Sequence, residues 1–147
     1  ATFTLRLADG VVKGYPYNGT YAQPYTTFYG MYDRYIGQGK EFPWSLPERW
    51  TPPPAYFDLA TPFNFVSTND IIGGNSGSPV INKNGEVVGL AFDGNIQSLP
   101  GSFIFRTEEN RTVSVHSSGM YEAIDKVYKF YKLKRLSSEL KAGKITN

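Results

Sequence analysis

Along the first fourteen residues, "ATFTLRLADGVVKG", apolar Phe3, Leu5 and Leu7 alternate with Thr2, Thr4 and Arg6, and the pattern resumes at Val11-Val12 after Asp9-Gly10. Successive strand side chains face opposite sides, and Asp-Gly tolerates the positive φ of a tight turn, so this segment predicts a β-hairpin over residues 1–14. "FNFVSTNDI" reads as a strand, and "SPVINKNGEVVGLAFDG" as two strands joined at Asn84-Gly85, a strong short hairpin signal. "SFIFRTEENRTVSVHS" predicts a further hairpin turning at Glu108 to Arg111. The period then changes. Met120, Ile124, Val127 and Tyr131 recur at helical spacing, Ser117 or Ser118 is placed to cap the start, and Leu136 and Leu140 extend the pattern, predicting a helix over 117–142.

Between these patterned ends lie residues 15–62, which hold eight of the ten prolines together with many Tyr and both Trp residues. Proline lacks a backbone donor and clashes with a preceding helical turn, so "TPPPA" at Thr51 to Ala55 is neither mid-helix nor central strand. The whole segment is expected to be irregular, or to contain short elements, packed by its aromatics. Several short strands (63–116 carrying most of them) and one terminal helix within 147 residues predict a single, mainly all-β domain, an antiparallel barrel or sandwich.

Composition narrows the function classes. A formal charge of +2 supplies no field for nucleic acid or an anionic membrane, and the basic residues near the C-terminus fit the outer face of a helix. No apolar run approaches the ~20 residues a membrane span needs. With no cysteine, one histidine and no clustered carboxylates, neither a metal site nor a cofactor site is expected. The chain opens at Ala1 directly on a strand pattern, without the basic-then-apolar pattern of a signal peptide, as a piece of a longer protein would.

The chemistry concentrates in Gly73-Gly74-Asn75-Ser76-Gly77-Ser78-Pro79. Acyl transfer by serine needs an exposed hydroxyl, a base, and backbone N–H groups aimed at the developing oxyanion. Glycines around Ser76 allow the Gly74 and Ser76 N–H groups to converge, and Gly77 leaves room for substrate. The following strand, ending "GLAFDG", is placed to offer its edge to an extended peptide. An ordinary glycine-serine turn is the plain alternative, but the longer string through Pro79, Asn84-Gly85 and Gly89 favours a nucleophile loop. An α/β-hydrolase elbow is disfavoured, because the fifth position of its G-x-S-x-G is Ser78 and a hairpin follows instead of a helix.

"NDIIGGNSGSPVINKNGEVVGLAFDGN" resembles the serine region of the bacterial S46 family of dipeptidyl peptidases, types 7 and 11 and their relatives. "ATFTLRLADGVVKGY" and "RTVSVHSSGMYEAIDKVYKFYKLKRLSSELK" resemble the C-terminal part of that family. G-N-S-G-x-P alone is shared across chymotrypsin-like proteases, and "GLAFDGN" narrows it. The resemblance implies an antiparallel six-stranded-type β-barrel of the chymotrypsin-like kind with a C-terminal α-helix, the second barrel of a longer serine exopeptidase that releases dipeptides from peptide N-termini. It makes Ser76 the nucleophile and the Gly74 N–H an oxyanion donor. It also assigns Phe92, Asp93 and Gly94 to substrate: Asp93 where the peptide's N-terminal ammonium is held, and Gly94 at the position that decides S1 preference. An arginine there in acid-specific relatives would meet Asp or Glu at P1; glycine supplies no cation, so apolar P1 residues are expected.

The same resemblance places the triad's histidine and aspartate upstream, in the N-terminal remainder of the parent protein, so this chain alone is expected to be inactive. His116 is read as a strand-end residue packed against the final helix. The order Ser76, Asp93, His116 does mimic that of α/β-hydrolases, and a self-contained triad is the arrangement to set against it. The implied partner is a peptide substrate, the implied setting the periplasm or outer face of a Gram-negative cell, and a homodimer of the full-length enzyme is an assembly the resemblance allows. A second class stays open: a non-catalytic protease-like barrel acting as a peptide-binding or interaction module through its aromatic surface.

Overall fold

The computed structural model describes residues 4–130. Strand β1 (Tyr15–Tyr17) pairs with β2 (Thr20–Ala22) in a two-stranded ribbon. The principal sheet contains β3 (Tyr25–Thr27), β4 (Pro62–Ser67), β5 (Pro79–Ile81), β6 (Val87–Gly94) and β7 (Thr112–His116), all antiparallel, in the order β3-β4-β7-β6-β5. Helices α1 (Phe28–Gly37) and α2 (Ser117–Glu122) follow β3 and β7 directly. Among the described residues this sheet is open: β3 and β5 stand at opposite edges, and the six-stranded closure expected of a barrel is not formed within them.

The Asn84-Gly85 hairpin forms as its sequence predicts. Gly85 takes φ +79°, and the Asn82 carboxamide oxygen accepts from the Asn84 and Glu86 N–H groups at 2.9 and 3.0 Å, pinning the turn between β5 and β6. Pro79 opens β5 on the sheet edge, where its missing donor breaks no ladder.

Residues 4–14 form no hairpin. They run along the end of β4 instead: Val12 bridges Ser67, the Lys13 N–H donates to the Val66 carbonyl at 3.2 Å, and the Thr68 N–H donates to the Val11 carbonyl at 3.0 Å. Gly10 serves close approach rather than a turn, since a Cβ there would lie 2.6 Å from the Asn69 nitrogen. The hairpin expected across 103–116 is also absent. Phe103 and Ile104 are exposed, the chain turns through Arg106 to Asn110, and β7 finds its partners in β4 and β6. A short alternating run does not select its own neighbour when two longer strands offer more ladder.

Residues 15–62 carry more structure than their prolines suggest. Helix α1, "FYGMYDRYIG", contains two glycines and no side-chain N-cap, so neither propensity nor end signals announce it. Tertiary packing sustains it. Phe28 and Tyr32, four residues apart on one face, are buried with Phe57 and Val127; the Phe28 ring lies 4.7 Å from both the Phe57 and Phe63 rings, and Trp50 packs beside them. Burying the Phe28 side chain fully contributes about 2–3 kcal/mol. The Tyr32 hydroxyl donates to the Trp50 carbonyl at 2.7 Å, and burial raises its pKa.

At the C-terminal end, helix α2 is capped by His116, whose Nδ1 accepts from the Ser118 N–H at 3.1 Å, and not by Ser117 or Ser118. A π-helical turn, Ala123–Val127, extends α2, and Lys129 at φ +49° ends it. The helix expected over 117–142 therefore stops near Val127 in the described part; Tyr131, Leu136 and Leu140 lie outside the described residues.

Candidate active site

The glycine-serine loop is two consecutive turns fastened to β6. The Asn75 N–H donates to the Ile72 carbonyl at 3.1 Å and the Ser78 N–H to the Asn75 carbonyl at 2.9 Å, while the Asn75 side-chain oxygen accepts from the Ile72 N–H at 3.0 Å. Gly74 and Gly77 sit at φ +100° and +85°, values that strain any residue with a Cβ. Two bonds lock the loop's end to the strand: Gly77 N–H to Ala91 carbonyl at 2.7 Å, and Ala91 N–H to Ser78 carbonyl at 2.9 Å. Asn75 and these ties hold Ser76 at the apex, exposed, with its hydroxyl donating to the Phe92 carbonyl at 3.2 Å. A carbonyl accepts that proton as a hydrogen bond and cannot remove it. Among the described residues no acceptor takes the N–H of Gly74 or of Ser76.

β6 bulges between Ala91 and Asp93, at Phe92, a device that re-aims backbone next to functional sites. β5 covers β6 only as far as Leu90, so beyond the Ala91 contact the outer edge of β6 at residues 92–94 is unpaired by β5. That edge, with Ser76, lines a cavity of about 340 Å³. Ile71, Ile72, Leu99 and Phe105 give it apolar surface, and Ser98, Asn110, Arg111 and Thr112 contribute polar walls. Ser76, Phe92, Asp93 and Gly94 are thus brought to one cavity; Gly74 stands two residues before Ser76 on the loop and does not itself line it. Asp93 is exposed and its Oδ1 accepts from the Gly94 N–H at 2.8 Å. A Cβ at Gly94 would collide with the Ser98 hydroxyl, so glycine keeps this wall open.

A family model described as Peptidase S46 matches residues 1–142. The chain belongs to that family. Dipeptidyl-peptidase 7 of Phocaeicola vulgatus is 41% identical over 134 residues, covering 86% of this chain and 19% of the relative; dipeptidyl-peptidase 7 of Porphyromonas endodontalis is 39% identical over 132 residues, covering 86% and 16%. The crystal structure of Porphyromonas endodontalis DPP11 in complex with substrate superposes with a TM-score of 0.73 at 28% identity, over 96% of this chain and 21% of that one. This S46 chain therefore spans about a fifth of the length of the relatives it matches, with the same mainly antiparallel architecture. No helix among its described residues is long and apolar enough to cross a membrane, and no group of three or more potential metal ligands occurs among them.

His116 does not join Ser76 in the S46 chain. It pairs with Gly89, three positions along β6 from Phe92, and packs edge-on against Tyr25 and Phe65 at 6.0 and 5.7 Å. Its Nδ1 is occupied by the Ser118 N–H, so it caps a helix, away from the cavity. A self-contained Ser76-Asp93-His116 triad is not assembled. Burial lowers the His116 pKa from 6.5, so the fold binds fewer protons here than the unfolded chain does. Stability from this site is fully present above pH 6.5 and is lost as pH falls from there through the lower folded-state value. Thermal melts taken from about pH 7.5 down to about pH 5.5 should fall further for the wild-type chain than for His116→Asn, which keeps a capping oxygen and does not titrate. Equal slopes would remove His116 as a source of acid sensitivity.

Arg111, by its sequence context a turn residue, is a structural anchor that no motif announces. It is 2% exposed, and all five guanidinium N–H groups are spent on backbone carbonyls. Nε donates to Lys13 at 2.9 Å, Nη1 to Thr107 and Asn110 at 2.9 and 2.7 Å, and Nη2 to Gly14 and Glu108 at 2.8 and 3.1 Å. Arg111 staples residues 13–14 to the 107–110 turn at the cavity wall. No local pattern marks such a residue, because its acceptors are main-chain atoms 97 and 98 positions away as well as adjacent ones.

Proposed function

We propose that this chain is the nucleophile-bearing, C-terminal part of an S46 serine dipeptidyl peptidase that releases dipeptides from peptide N-termini, with apolar residues preferred at P1. The observation that carries the reading is the exposed Ser76 at the apex of a glycine loop, on one cavity with Phe92, Asp93 and Gly94. Ser76 attacks the scissile carbonyl, and the uncommitted N–H groups of Gly74 and Ser76 stabilise the oxyanion. The Phe92 carbonyl and the unpaired edge of β6 align the peptide as an added strand, and the exposed Asp93 carboxylate holds its terminal ammonium. Those three contacts fix which peptide bond meets Ser76, two residues from the free amine.

The base and its orienting aspartate come from the N-terminal remainder of the parent, and the open sheet is completed there into a chymotrypsin-like barrel pair acting in the periplasm or at the outer face of a Gram-negative cell. Support for an upstream base is the commitment of the chain's single histidine to helix capping. With no base the Ser76 hydroxyl stays protonated and weakly nucleophilic. Hydrolysis of a dipeptidyl chromogenic substrate with leucine at P1 tests this: the full-length parent should cleave it, and the 147-residue chain should be silent. Silence in both overturns the peptidase reading and favours a binding module, whereas turnover by the short chain alone overturns the upstream base.

A further inference from the structure

One buried polar side chain on the Ser76 cavity is left unused by the fold. Asn110 is 2% exposed and lines the cavity, yet neither its Oδ1 nor its Nδ2 has a hydrogen-bond partner among the described residues. Its neighbours differ sharply. Asn95, nearly as buried, donates from Nδ2 to the Glu109 carbonyl at 2.7 Å and accepts at Oδ1 from the Arg111 N–H at 2.9 Å. Thr112 donates to the Asn69 carbonyl at 2.6 Å, Ser98 to the Asn95 carbonyl at 2.6 Å, and Arg111 has no donor left. A buried amide left without partners is costly, so natural folds satisfy such groups with protein, water or ligand.

The surroundings say what a ligand must be. Nδ2 lies 3.3 Å from where a Cβ on Gly101 would stand, so glycine makes the space the carboxamide occupies. With all five Arg111 N–H groups engaged by backbone carbonyls, the cavity offers an anionic side chain no free guanidinium donor. Its apolar wall at Ile71, Ile72, Leu99 and Phe105 suits methylene groups, and Asn110 adds one neutral donor and one neutral acceptor. A side chain combining an apolar stem with a carboxamide tip matches both.

Resting on the proposed function, we infer that Asn110 is a specificity-determining residue of S1, reading the neutral hydrogen-bonding tip of the P1 side chain, so that glutamine is accepted there beside leucine. Complementary amides exchange two hydrogen bonds, so glutamine gains at Asn110 an interaction that leucine, held by the apolar wall alone, does not make. Asn110→Leu keeps the branched shape and removes both polar atoms; Asn110→Asp keeps the size and removes the donor.

The test compares kcat/KM of the full-length parent on two dipeptidyl substrates identical except for glutamine or leucine at P1. The glutamine-to-leucine ratio should fall about tenfold in Asn110→Leu, and should also fall in Asn110→Asp. Should Asn110→Leu fail to fold, the near-isosteric Asn110→Asp decides. A ratio changed less than twofold in a folded variant that still cleaves the leucine substrate overturns the inference and leaves the peptidase reading intact. A wild type that cleaves neither substrate overturns both.

Discussion

Ser76→Ala in the full-length parent is expected to lower kcat on a leucine-P1 dipeptidyl substrate by about 10⁵-fold or more, with binding of a dipeptide product changed less than about threefold. The asymmetry follows from where the hydroxyl stands. Its hydrogen bond to the Phe92 carbonyl at 3.2 Å is exposed and contributes little to the fold. The loop is held without it, by the Gly77–Ala91 and Ser78–Ala91 backbone bonds and the Asn75 turns. Removing the oxygen therefore deletes the attacking atom and leaves the cavity, the Gly74 and Ser76 N–H groups and the β6 edge where they were. A melting temperature within about 2 °C of wild type would certify that the loss is chemical. Turnover within tenfold of wild type would demote Ser76 to a turn residue, and the cavity would then be a peptide-binding groove.

That experiment concerns the part of the molecule that was most legible in the chain. The loop and the hairpin after it are specified by neighbours in sequence: glycines at the positive-φ positions, Asn82 bonding two residues across its own turn, Pro79 at the strand start. Phe92, Asp93 and Gly94 are marked in the sequence only by the family resemblance; in the structure β6 leads straight from that hairpin and carries them to the cavity. What failed to be legible depends on contacts distant in sequence. Helix α1 exists because Phe28 and Tyr32 meet Phe57 and Val127, and Asp9-Gly10 is drawn straight along β4 by Asn69, whose side chain also donates to the Ala8 carbonyl at 2.6 Å. The apolar run at 103–105 reads as the first arm of a hairpin with 112–116, but β7 is sandwiched by β4 and β6, so no ladder position remains for it. His116 as cap rather than Ser117 is a subtler case: the imidazole of the last strand residue already lies at the helix start, and a capping serine one position later is displaced.

The largest stability effect is expected at Arg111. Five carbonyls depend on its guanidinium: Lys13, Gly14, Thr107, Glu108 and Asn110. Arg111→Met retains much of the stem and abandons all five acceptors in a site 2% exposed, which should cost about 3–5 kcal/mol. Arg111→Lys keeps the charge, but an ammonium has three donors in a different geometry and leaves at least two carbonyls unanswered, so it should recover only part of the loss. In a domain of this size 1 kcal/mol corresponds to about 2–4 °C, so Arg111→Met should melt about 10 °C lower, with Arg111→Lys between it and wild type. The lost tie has a catalytic reading as well. The 107–110 turn carries Asn110 into the cavity wall and Arg111 ties it to residues 13–14, so in the parent Arg111→Lys should raise KM more than it lowers kcat, because the pocket loosens while Ser76 and its loop on β6 are untouched. Equal melting of all three proteins would mean that water satisfies those carbonyls as well as the guanidinium does, and the wall would then owe its position to β7 and Asn95 alone.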